Sequence, residues 1–249
     1  MSDKIPVVLA GASGRTGMAV GRELVQAPDI ELVGAIALRH RGEHLGALWN
    51  DPRLDLEVVG SLDEIPQAYA VLVDFTEPES SFERLRAAVL RGWDIVVGTT
   101  GFTLAQRSEL ARLVVERNVG AALIANFSVG AWVLEKVALE VSRYFDRAEV
   151  IEEHHAAKKD RPSGTALRMA NLLAYSWRRD PKDIPVHSIR LPGLVAHQTV
   201  VFGASGQVVS LRHDVHDRSA YAAGVLQAVR KIHALKGRVV DDLGEVLEG

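Results

Sequence analysis

Apolar and polar positions follow a regular rhythm through the first half of the chain. Short runs rich in β-branched residues predict strands over residues 7–10, 31–37, 70–74, 94–97 and 121–124. Helical periodicity between these runs predicts helices from about residue 14 and over residues 79–91 and 104–117. Strands that alternate with helices build a parallel sheet that is covered on both faces. The first half is therefore predicted to be a doubly wound α/β domain.

The rhythm changes after Asn126. A helix capped by Ser128 is predicted to about residue 145, and a strand over residues 148–155 and a helix over 163–174 follow it. Three strands without helices between them are then predicted over residues 187–191, 198–202 and 207–212. A last helix is predicted over residues 217–233. Consecutive strands predict a mixed or antiparallel sheet. We expect a domain of residues 1–125 completed by 216–249, and a smaller α+β domain of residues 126–215.

Composition narrows the functional class. The 249 residues are 47% hydrophobic and 24% charged, which is enough to bury a sizeable core. A net charge of −3 gives no broad attraction to nucleic acid or anionic lipid, so neither is an expected partner. The chain has no cysteine, which excludes disulfides and thiolate chemistry. No signal-peptide pattern and no apolar run of about 20 residues is present, so a cytoplasmic protein is expected.

A glycine-rich loop follows the first predicted strand and opens the first predicted helix. Residues 11–17 read GASGRTG, a G-x-x-G-x-x-G variant of the dinucleotide fingerprint. Glycine lets the backbone approach a pyrophosphate, and the free amides and positive end of the helix dipole face that group. A purely structural turn is the alternative. The strand–turn–helix context favours a Rossmann-type dinucleotide site.

Other turns at the same sheet edge bear on the cofactor. The segments DFT at residues 74–76 and GTTG at 98–101 end two strands where a ligand crevice is expected. An acid that binds the ribose of NAD would follow the second strand, but residues 37–41 read ALRHR. Two arginines there can bind a 2′-phosphate, although a solvated basic loop is the alternative. NADPH is therefore the favoured cofactor, with NADH possible.

A charged segment, EEHHAAKKDRPSGT, spans residues 152–165. Adjacent residues of a strand point to opposite faces, so His154 and His155 are not expected to act in the same way. Lys158 lies past the strand end and can fold back near one of them. Zinc ligands on strands occupy alternate positions, so a metal site is not expected. A satisfied histidine and a solvated lysine are the structural alternatives.

The end of this segment is a turn that begins a helix. Exposed amides and two hydroxyls in the Pro-Ser-Gly-Thr turn make a pocket for a carboxylate. The two acids before the histidines, Glu152 and Glu153, are expected to be strand context. Lys159 and Arg161 are expected to form a solvated rim. The predicted chemistry therefore rests on His154, Lys158 and the turn.

Six segments, in this order and at these separations, resemble the dihydrodipicolinate reductase family of bacteria. They are VVLAGASGRTG, VDFTEP, VVGTTGF, IANFSVG, EEHHAAKKDRPSGTAL and RHDVHDRSAYAAGVLQAV. The resemblance implies NAD(P)H-dependent reduction of 4-hydroxy-tetrahydrodipicolinate on the diaminopimelate route to lysine. In this reaction a hydride is added to C4 of the ring and a proton to C3. The resemblance also implies a homotetramer assembled through the sheet of the second domain.

Residue roles follow from the same resemblance. It makes His154 the proton donor and Lys158 the second catalytic residue. The substrate carboxylates would be held by His155, Ser163, Gly164 and Thr165. The cofactor would be held by Gly11, Ala12, Ser13, Gly14, Arg15, Thr16, Gly98, Thr99, Thr100, Ala125, Asn126 and Phe127. An imidazole with a pKa near ~6.5 suits proton donation at neutral pH.

The chain departs from the family pattern at the second strand. Many members carry an acid and then an arginine there, whereas residues 38–41 read LRHR, so Arg39 is expected to favour NADPH. Arg161 also replaces the alanine of the common D-A-P-S-G-T turn. Two other functions stay open from the sequence. They are a related NADP-dependent amino-acid or aldehyde dehydrogenase, and a non-catalytic NADP-binding sensor.

Overall fold

Residues 4–249 are described by a computed structural model and fall into two compact units. The first unit contains the chain up to Phe127 and from Tyr221 onward, and the second contains Ser128–Ala220. The strands are β1 (Ile5–Ala10), β2 (Ile30–Ile36), β3 (Val58–Val59), β4 (Val71–Asp74), β5 (Asp94–Val97), β6 (Ala121–Leu123), β7 (Ala148–His154), β8 (Val186–Arg190), β9 (Ala196–Ala204), β10 (Gln207–Val215) and β11 (Val239–Val240). The helices are α1 (Arg15–Gln26), α2 (Leu45–Trp49), α3 (Pro78–Leu90), α4 (Leu104–Arg117), α5 (Val129–Val141), α6 (Gly164–Trp177), α7 (Ala222–Lys231) and α8 (Leu243–Glu248).

The first unit is built on a parallel sheet of seven strands in the order β11-β6-β5-β4-β1-β2-β3. From β1 the chain winds outward in one direction through β2 and β3, and in the other through β4, β5 and β6. The strand order therefore reverses between β1 and β4, where a doubly wound sheet opens a crevice at the carboxyl ends of its strands. Strands β4 and β5 are buried at every residue, as parallel strands covered on both faces should be. The predicted doubly wound fold is confirmed.

The sequence pattern missed the shortest elements of this unit. Helix α2 has five residues, and strands β3 and β11 have two residues each. Hydrophobic periodicity cannot be recognised in such short segments, because five residues span less than two turns of a helix and two residues span only one alternation of a strand. Several of their residues are nevertheless buried, and Trp49 is only 1% exposed.

The second unit contains a four-stranded mixed sheet in the order β10-β9-β7-β8. Strands β7 and β8 are parallel, whereas the β7–β9 and β9–β10 pairs are antiparallel. This confirms the predicted second sheet. Alternate residues of the sheet, including Val150, Val200 and Phe202, form a core with the apolar sides of α5 and α6. We call this side of the sheet the helix-covered face. The intervening residues of each strand point to the other side of the sheet, which we call the open face.

Polar residues occupy one end of the helix-covered face. Strand register places Glu152 beside Gln198 and Ser188, and Gln198 is in turn beside His213. Because side chains alternate along a strand, His154 shares the face of Glu152. The same sheet surface thus changes from a hydrophobic core to a polar site within a few residues of β7.

No helix in the part of the chain that is described, residues 4–249, is both long enough and apolar enough to cross a bilayer.

We expect Gly17→Ala to destabilise the protein, because a methyl group at this position would overlap the carbonyl oxygen of Gly11. Both groups belong to backbone, so the overlap is relieved only by moving the loop or α1. Overpacking of this kind costs about 1–3 kcal/mol. Urea unfolding followed by circular dichroism measures the loss.

The matched control for this variant is Gly164→Ala. A methyl group at Gly164, the first residue of α6, meets no atom within 4 Å. We expect its free energy of unfolding to stay unchanged or to rise slightly, because alanine restricts the unfolded chain more than glycine does. Equal losses in the two variants would contradict the packing argument at Gly17.

Candidate active site

The turn after β1 is shaped by glycines. Gly11 has a φ of +86°, and a methyl group there would overlap the carbonyl of Phe75. The amide of Gly14 donates to the carbonyl oxygen of Gly11 at 2.8 Å, which closes the turn. Only glycine combines this backbone angle with this close approach. The loop therefore passes tightly over the sheet edge and directs its chain into α1.

The N-terminus of α1 is open to an anion. Gly14 is the N-cap residue, no side chain caps the helix, and the first turn carries no acid. Arg15 is exposed, and Ser13 and Thr16 are half-buried beside it. Uncapped amides at the positive end of the helix dipole, with a cation beside them, match the requirements of a pyrophosphate. The cradle fits the dinucleotide that the sequence predicts.

A tryptophan that the sequence analysis did not single out supports this loop. The indole Nε1 of Trp49 donates to the carbonyl oxygen of Ala12 at 2.9 Å, and both groups are buried. Its ring also packs so closely on Gly21 of α1 that a methyl group there would overlap it. The insertion after β2 thus fixes both the glycine loop and the helix that follows.

A buried carboxylate joins the turns after β4 and β5. Asp74 is fully buried, and its Oδ1 accepts hydrogen bonds from the Thr76 hydroxyl at 2.7 Å and from the Thr99 hydroxyl at 2.7 Å. Its Oδ2 accepts from Arg84 Nη1 of α3 at 2.6 Å. The Thr76 amide in turn donates to Thr99 Oγ1 at 2.8 Å. One ion pair therefore holds two turns of the crevice in a single arrangement.

This network limits how the predicted residues can contact a cofactor. Thr99 is 7% exposed and its hydroxyl is already bonded, so its backbone is the part left for a ligand. Phe127 is 1% exposed and packs edge-on against Phe75, with ring centroids 6.0 Å apart. Thr100 and Ala125, in contrast, are exposed. The predicted turns do lie at the carboxyl edge, but not all of their side chains are available.

The two arginines after β2 differ in their surroundings. Arg41 Nη2 donates to Glu64 Oε2 at 2.8 Å, and its side chain lies against Gly60. Arg39 is exposed and has no hydrogen-bond or ion-pair partner among residues 4–249. A 2′-phosphate would therefore find one uncommitted guanidinium here, that of Arg39.

In the second unit, His154 lies at the end of β7 with 13% of its side chain exposed. Its Nδ1 contacts Oε2 of Glu152, two residues earlier on the same strand and fully buried. Arg190 at the end of β8 binds the same carboxylate with both terminal nitrogens, Nη1 to Oε2 at 2.9 Å and Nη2 to Oε1 at 2.7 Å. The guanidinium is 1% exposed. A buried ion pair therefore stands directly behind the histidine.

The environment shifts both partners of the histidine contact. Burial favours the neutral carboxyl of Glu152, but three hydrogen bonds outweigh it and hold the pKa of this group below its usual value. The donors are Arg190, Ser188 and His154. Burial also lowers the pKa of His154, and the hydrogen bond and charge of Glu152 oppose that effect. The two groups therefore form an ionised carboxylate beside an imidazole that loses its proton readily.

Lys158 and the turn that starts α6 lie next along the chain. The amide of Lys158 donates to the carbonyl of His155 at 3.0 Å, and its Nζ pairs with Asp160 Oδ2 at 2.9 Å. Ser163 is buried and caps α6, because its Oγ accepts from the Ala166 amide at 3.2 Å. The first turn of α6 carries no acid. Its remaining amides can bind a carboxylate.

Among residues 4–249, no group of three or more His, Asp or Glu side chains is gathered closely enough to hold a metal ion.

Comparison with known proteins assigns the whole chain. The family model described as dihydrodipicolinate reductase, N-terminus, matches residues 5–127, and the model of its C-terminus matches residues 130–247. The chain belongs to the dihydrodipicolinate reductase family. The resemblance noted from six sequence segments is thereby confirmed, together with the reductase class of enzyme. The family uses NAD(P)H.

Similar proteins support the assignment over almost the full length. A 4-hydroxy-tetrahydrodipicolinate reductase of Thermosynechococcus vestitus is 40% identical over 272 aligned positions, which cover 99% of this chain and 98% of that protein. One of Nostoc punctiforme is 40% identical over 94% of this chain and 95% of its own. A solved dihydrodipicolinate reductase of Paenisporosarcina sp. TG-14, with dipicolinate bound, has a TM-score of 0.83 at 30% identity and covers 98% of this chain and 100% of its own.

More distant structures share the fold alone. An amine dehydrogenase of Mycobacterium smegmatis covers 96% of this chain with a TM-score of 0.62, but only 13% of the aligned residues are identical. At that identity the likeness reports architecture and not chemistry.

Two residues of this candidate site were not identified by the sequence analysis. Glu152 was interpreted as strand context, although the alternation of β7 places it on the face of His154 and could have identified it. Arg190 was not considered, because it lies 38 residues from Glu152 and only the pairing of β7 with β8 brings the two together. The sequence analysis therefore named His154 but not the buried ion pair that lies behind it.

Proposed function

We propose that this chain catalyses the NAD(P)H-dependent reduction of 4-hydroxy-tetrahydrodipicolinate in lysine biosynthesis, with His154 and Lys158 as its catalytic residues. The observation that carries this assignment is the arrangement around His154. A histidine backed by a buried carboxylate is followed by a nine-residue loop that contains a lysine and leads into the N-terminus of α6, which Ser163 caps. Family membership supplies the reaction, and this arrangement supplies the groups that it requires.

The reaction needs an acid. The 4-hydroxyl must first leave C4 as water, with a proton lost from C3, so that a C3=C4 double bond conjugated to the ring imine forms. Bound NAD(P)H would then supply a hydride to C4, and the electron pair of the double bond would move onto C3. The His154 imidazolium gives a proton to C3, so that an N–H bond breaks, a C–H bond forms and neutral imidazole remains. Proton donation by a placed acid contributes about 10²- to 10⁴-fold to the rate. Solvent then restores the proton of His154.

The substrate is a dianion, and the second unit offers groups for both charges. The amides of Gly164 and Thr165 open α6, and Lys158 and His155 precede them in the same loop. Ser163 contributes through the helix that it caps. Backbone amides at a helix N-terminus and a lysine ammonium are suitable ligands for carboxylates. The substrate is held by these groups while His154 acts on its ring.

The domain roles follow from this assignment. Residues 1–125 with 216–249 bind the dinucleotide through the glycine loop and the turns at the carboxyl edge of the parallel sheet. Residues 126–215 bind the substrate and form the oligomer. The close backbone approach at Gly11 and the uncapped amides of α1 support the first role. The polar end of the helix-covered face supports the second.

NADPH is the preferred nucleotide, and Arg39 is the residue that recognises it. The guanidinium of Arg39 is uncommitted among residues 4–249, whereas that of Arg41 is neutralised by Glu64. A 2′-phosphate offers charge-assisted hydrogen bonds to a free arginine that the 2′-hydroxyl of NADH lacks.

The open face of the second-unit sheet is the surface that assembles a homotetramer. Ile151, Ile189 and Val201 are half-buried on this face, and Val208 is 66% exposed. Sheets pack face to face when apolar side chains of their exposed faces interdigitate. The charged residues of the same face, among them Arg212 and Asp214, pair with each other.

The double variant His154→Ala with Lys158→Ala should lose turnover and keep NADPH binding. Reduction is followed as NADPH oxidation, with the substrate formed in place from pyruvate and aspartate semialdehyde. We expect a fall of at least about 10²-fold, because the proton donor is removed. Lys159→Ala, which changes an adjacent exposed lysine, should retain wild-type turnover. Retained turnover in the double variant would refute the catalytic assignment.

Arg39→Ala should weaken NADPH binding by about tenfold or more while leaving NADH affinity unchanged, because only NADPH loses a charge-assisted contact. Isothermal titration of both nucleotides measures the difference. Arg41→Ala is the matched control, since it removes the same charge from the same loop. If Arg41→Ala has the larger effect on NADPH, the roles of the two arginines are reversed.

Val201→Glu should dissociate the tetramer, because it places a charge at the centre of the open face. Sedimentation velocity of the wild type and the variant at matched concentration reports the change in mass. Val133→Glu introduces the same charge on exposed α5, where Val133 is 44% exposed, and should leave the mass unchanged. A monomeric wild type, or a Val201→Glu tetramer, would contradict the proposed interface.

A further inference from the structure

A buried ion pair joins the ends of β7 and β8. Glu152 is 0% exposed and Arg190 is 1% exposed. Removing two charges from water costs several kcal/mol per ion, and a hydrophobic pair of similar volume is often as stable. A pair in this position, two residues from the proposed proton donor, therefore calls for an explanation other than stability alone.

Arg190 fixes the carboxylate in one orientation. Its two terminal nitrogens bind the two oxygens of Glu152 separately, at 2.9 and 2.7 Å. Its Nη1 also donates to the backbone oxygen of Ile189 at 2.7 Å, so the guanidinium is itself anchored. A carboxylate held by such a fork cannot rotate without breaking both bonds. Oε2 is consequently held toward Nδ1 of His154.

The contact at Nδ1 decides the tautomer of the histidine. An ionised carboxylate only accepts hydrogen bonds, so the proton of neutral His154 must lie on Nδ1. We infer that Glu152 and Arg190 are positioning residues for the reduction: Glu152 keeps His154 protonated on Nδ1, so that Nε2 is the nitrogen that gives up and regains the catalytic proton. This inference rests on the proposed role of His154.

The same arginine reaches the lysine loop. Arg190 Nη2 donates to the backbone oxygen of Asp160 at 2.7 Å, and the carboxylate of Asp160 pairs with Lys158 Nζ at 2.9 Å. A continuous set of contacts therefore joins His154, through Glu152, Arg190 and Asp160, to Lys158. The two catalytic residues share one buried anchor, which fixes the loop between them relative to β7.

The charge of Glu152 also has a predicted effect on the pH profile. The charged and titratable groups that face His154 are Glu152 on its own strand, Arg190 on β8 and Lys158 in the following loop, with His213 on the same face at β10. Burial and the two cations favour neutral imidazole, and only Glu152 favours imidazolium. Removing that carboxylate must therefore lower the pKa of His154 further.

Glu152→Gln tests this inference by kinetics. The variant keeps the shape of the side chain and loses its charge. We expect kcat/KM at pH 7.5 to fall about 10- to 100-fold, the range found when carboxylate partners of metal-bound histidines are removed. The pH at which kcat/KM declines, which reports the acid in the free enzyme, should also move to lower values. A loss of activity without this shift of the pH profile would mean that Glu152 has only a structural role.

Glu153→Gln is the matched control. It makes the same change one residue along β7, on the open face, where Glu153 pairs with Arg212 at 2.6 Å. We expect its pH profile to match that of the wild type. Nucleotide affinity and thermal unfolding of both variants show whether they are folded. An equal displacement of the two profiles would refute a specific role for Glu152.

A measurement on the unaltered protein removes the dependence on folding of the variant. Long-range ¹H–¹⁵N correlation of histidine side chains distinguishes the two tautomers, and His154→Gln identifies the signal. We expect the neutral ring to carry its proton on Nδ1, and a proton on Nε2 would overturn the inference. This readout is independent of turnover. If the catalytic assignment is wrong, the double alanine variant should retain its activity, whereas the unaltered protein can still carry the His154 proton on Nδ1.

Discussion

Two fully buried carboxylates, one in each unit, require compensation, and their arginine partners determine where the loops of the candidate site lie. Asp74 ends β4 and binds Arg84 of α3, and Glu152 near the end of β7 binds Arg190 of β8. Neither acid can stay charged away from water without such a partner. In each case the arginine leaves carboxylate lone pairs for other groups. These are the hydroxyls of Thr76 and Thr99 in the first unit and the imidazole of His154 in the second. The ion pairs that compensate the buried charges therefore also fix the positions of the neighbouring polar side chains.

The geometry of the strands explains why these pairs occur where they do. The carboxyl ends of parallel strands lie at one sheet edge, and β7 and β8 are the parallel pair of the second sheet. Polar groups at the ends of neighbouring parallel strands therefore meet, as His154 and Arg190 do in register. In β7 the change from core to site takes only two residues, since Val150 packs in the core and Glu152 is already bound by the arginine. A shift of register by one residue would move every side chain of the strand to the other face and separate both Glu152 and His154 from Arg190 of β8.

Local sequence signals were sufficient to propose the glycine loop and the histidine segment, whereas the buried ion pairs depend on residues that are distant in the sequence. The glycine loop was recognisable because its turn, the start of its helix and its three glycines all lie within seven residues. Glu152 could have been identified from the alternation of the strand, which places it on the face of His154. Its burial, however, cannot be predicted from the presence of an acid in a strand. The sequence analysis selected Arg39, but the pairing of Arg41 with Glu64 could not be predicted, because Glu64 lies 23 residues further along the chain. Trp49 was missed because helix α2 is too short to produce a periodic signal.

The energetic cost of the Glu152–Arg190 pair argues for a functional explanation. If stability alone were selected, apolar residues at the two positions would extend the core of Val150 and Val200 and avoid the desolvation of two charges. Such residues could not hold a proton on Nδ1 of His154, and they could not reach the backbone of Asp160. The pair also resists titration, since arginine remains charged and the pKa of Glu152 is held below its usual value by its hydrogen bonds against the effect of burial. The imidazole of His154, whose proposed role is to exchange protons near neutral pH, is thereby placed against a partner whose own charge does not change over that range.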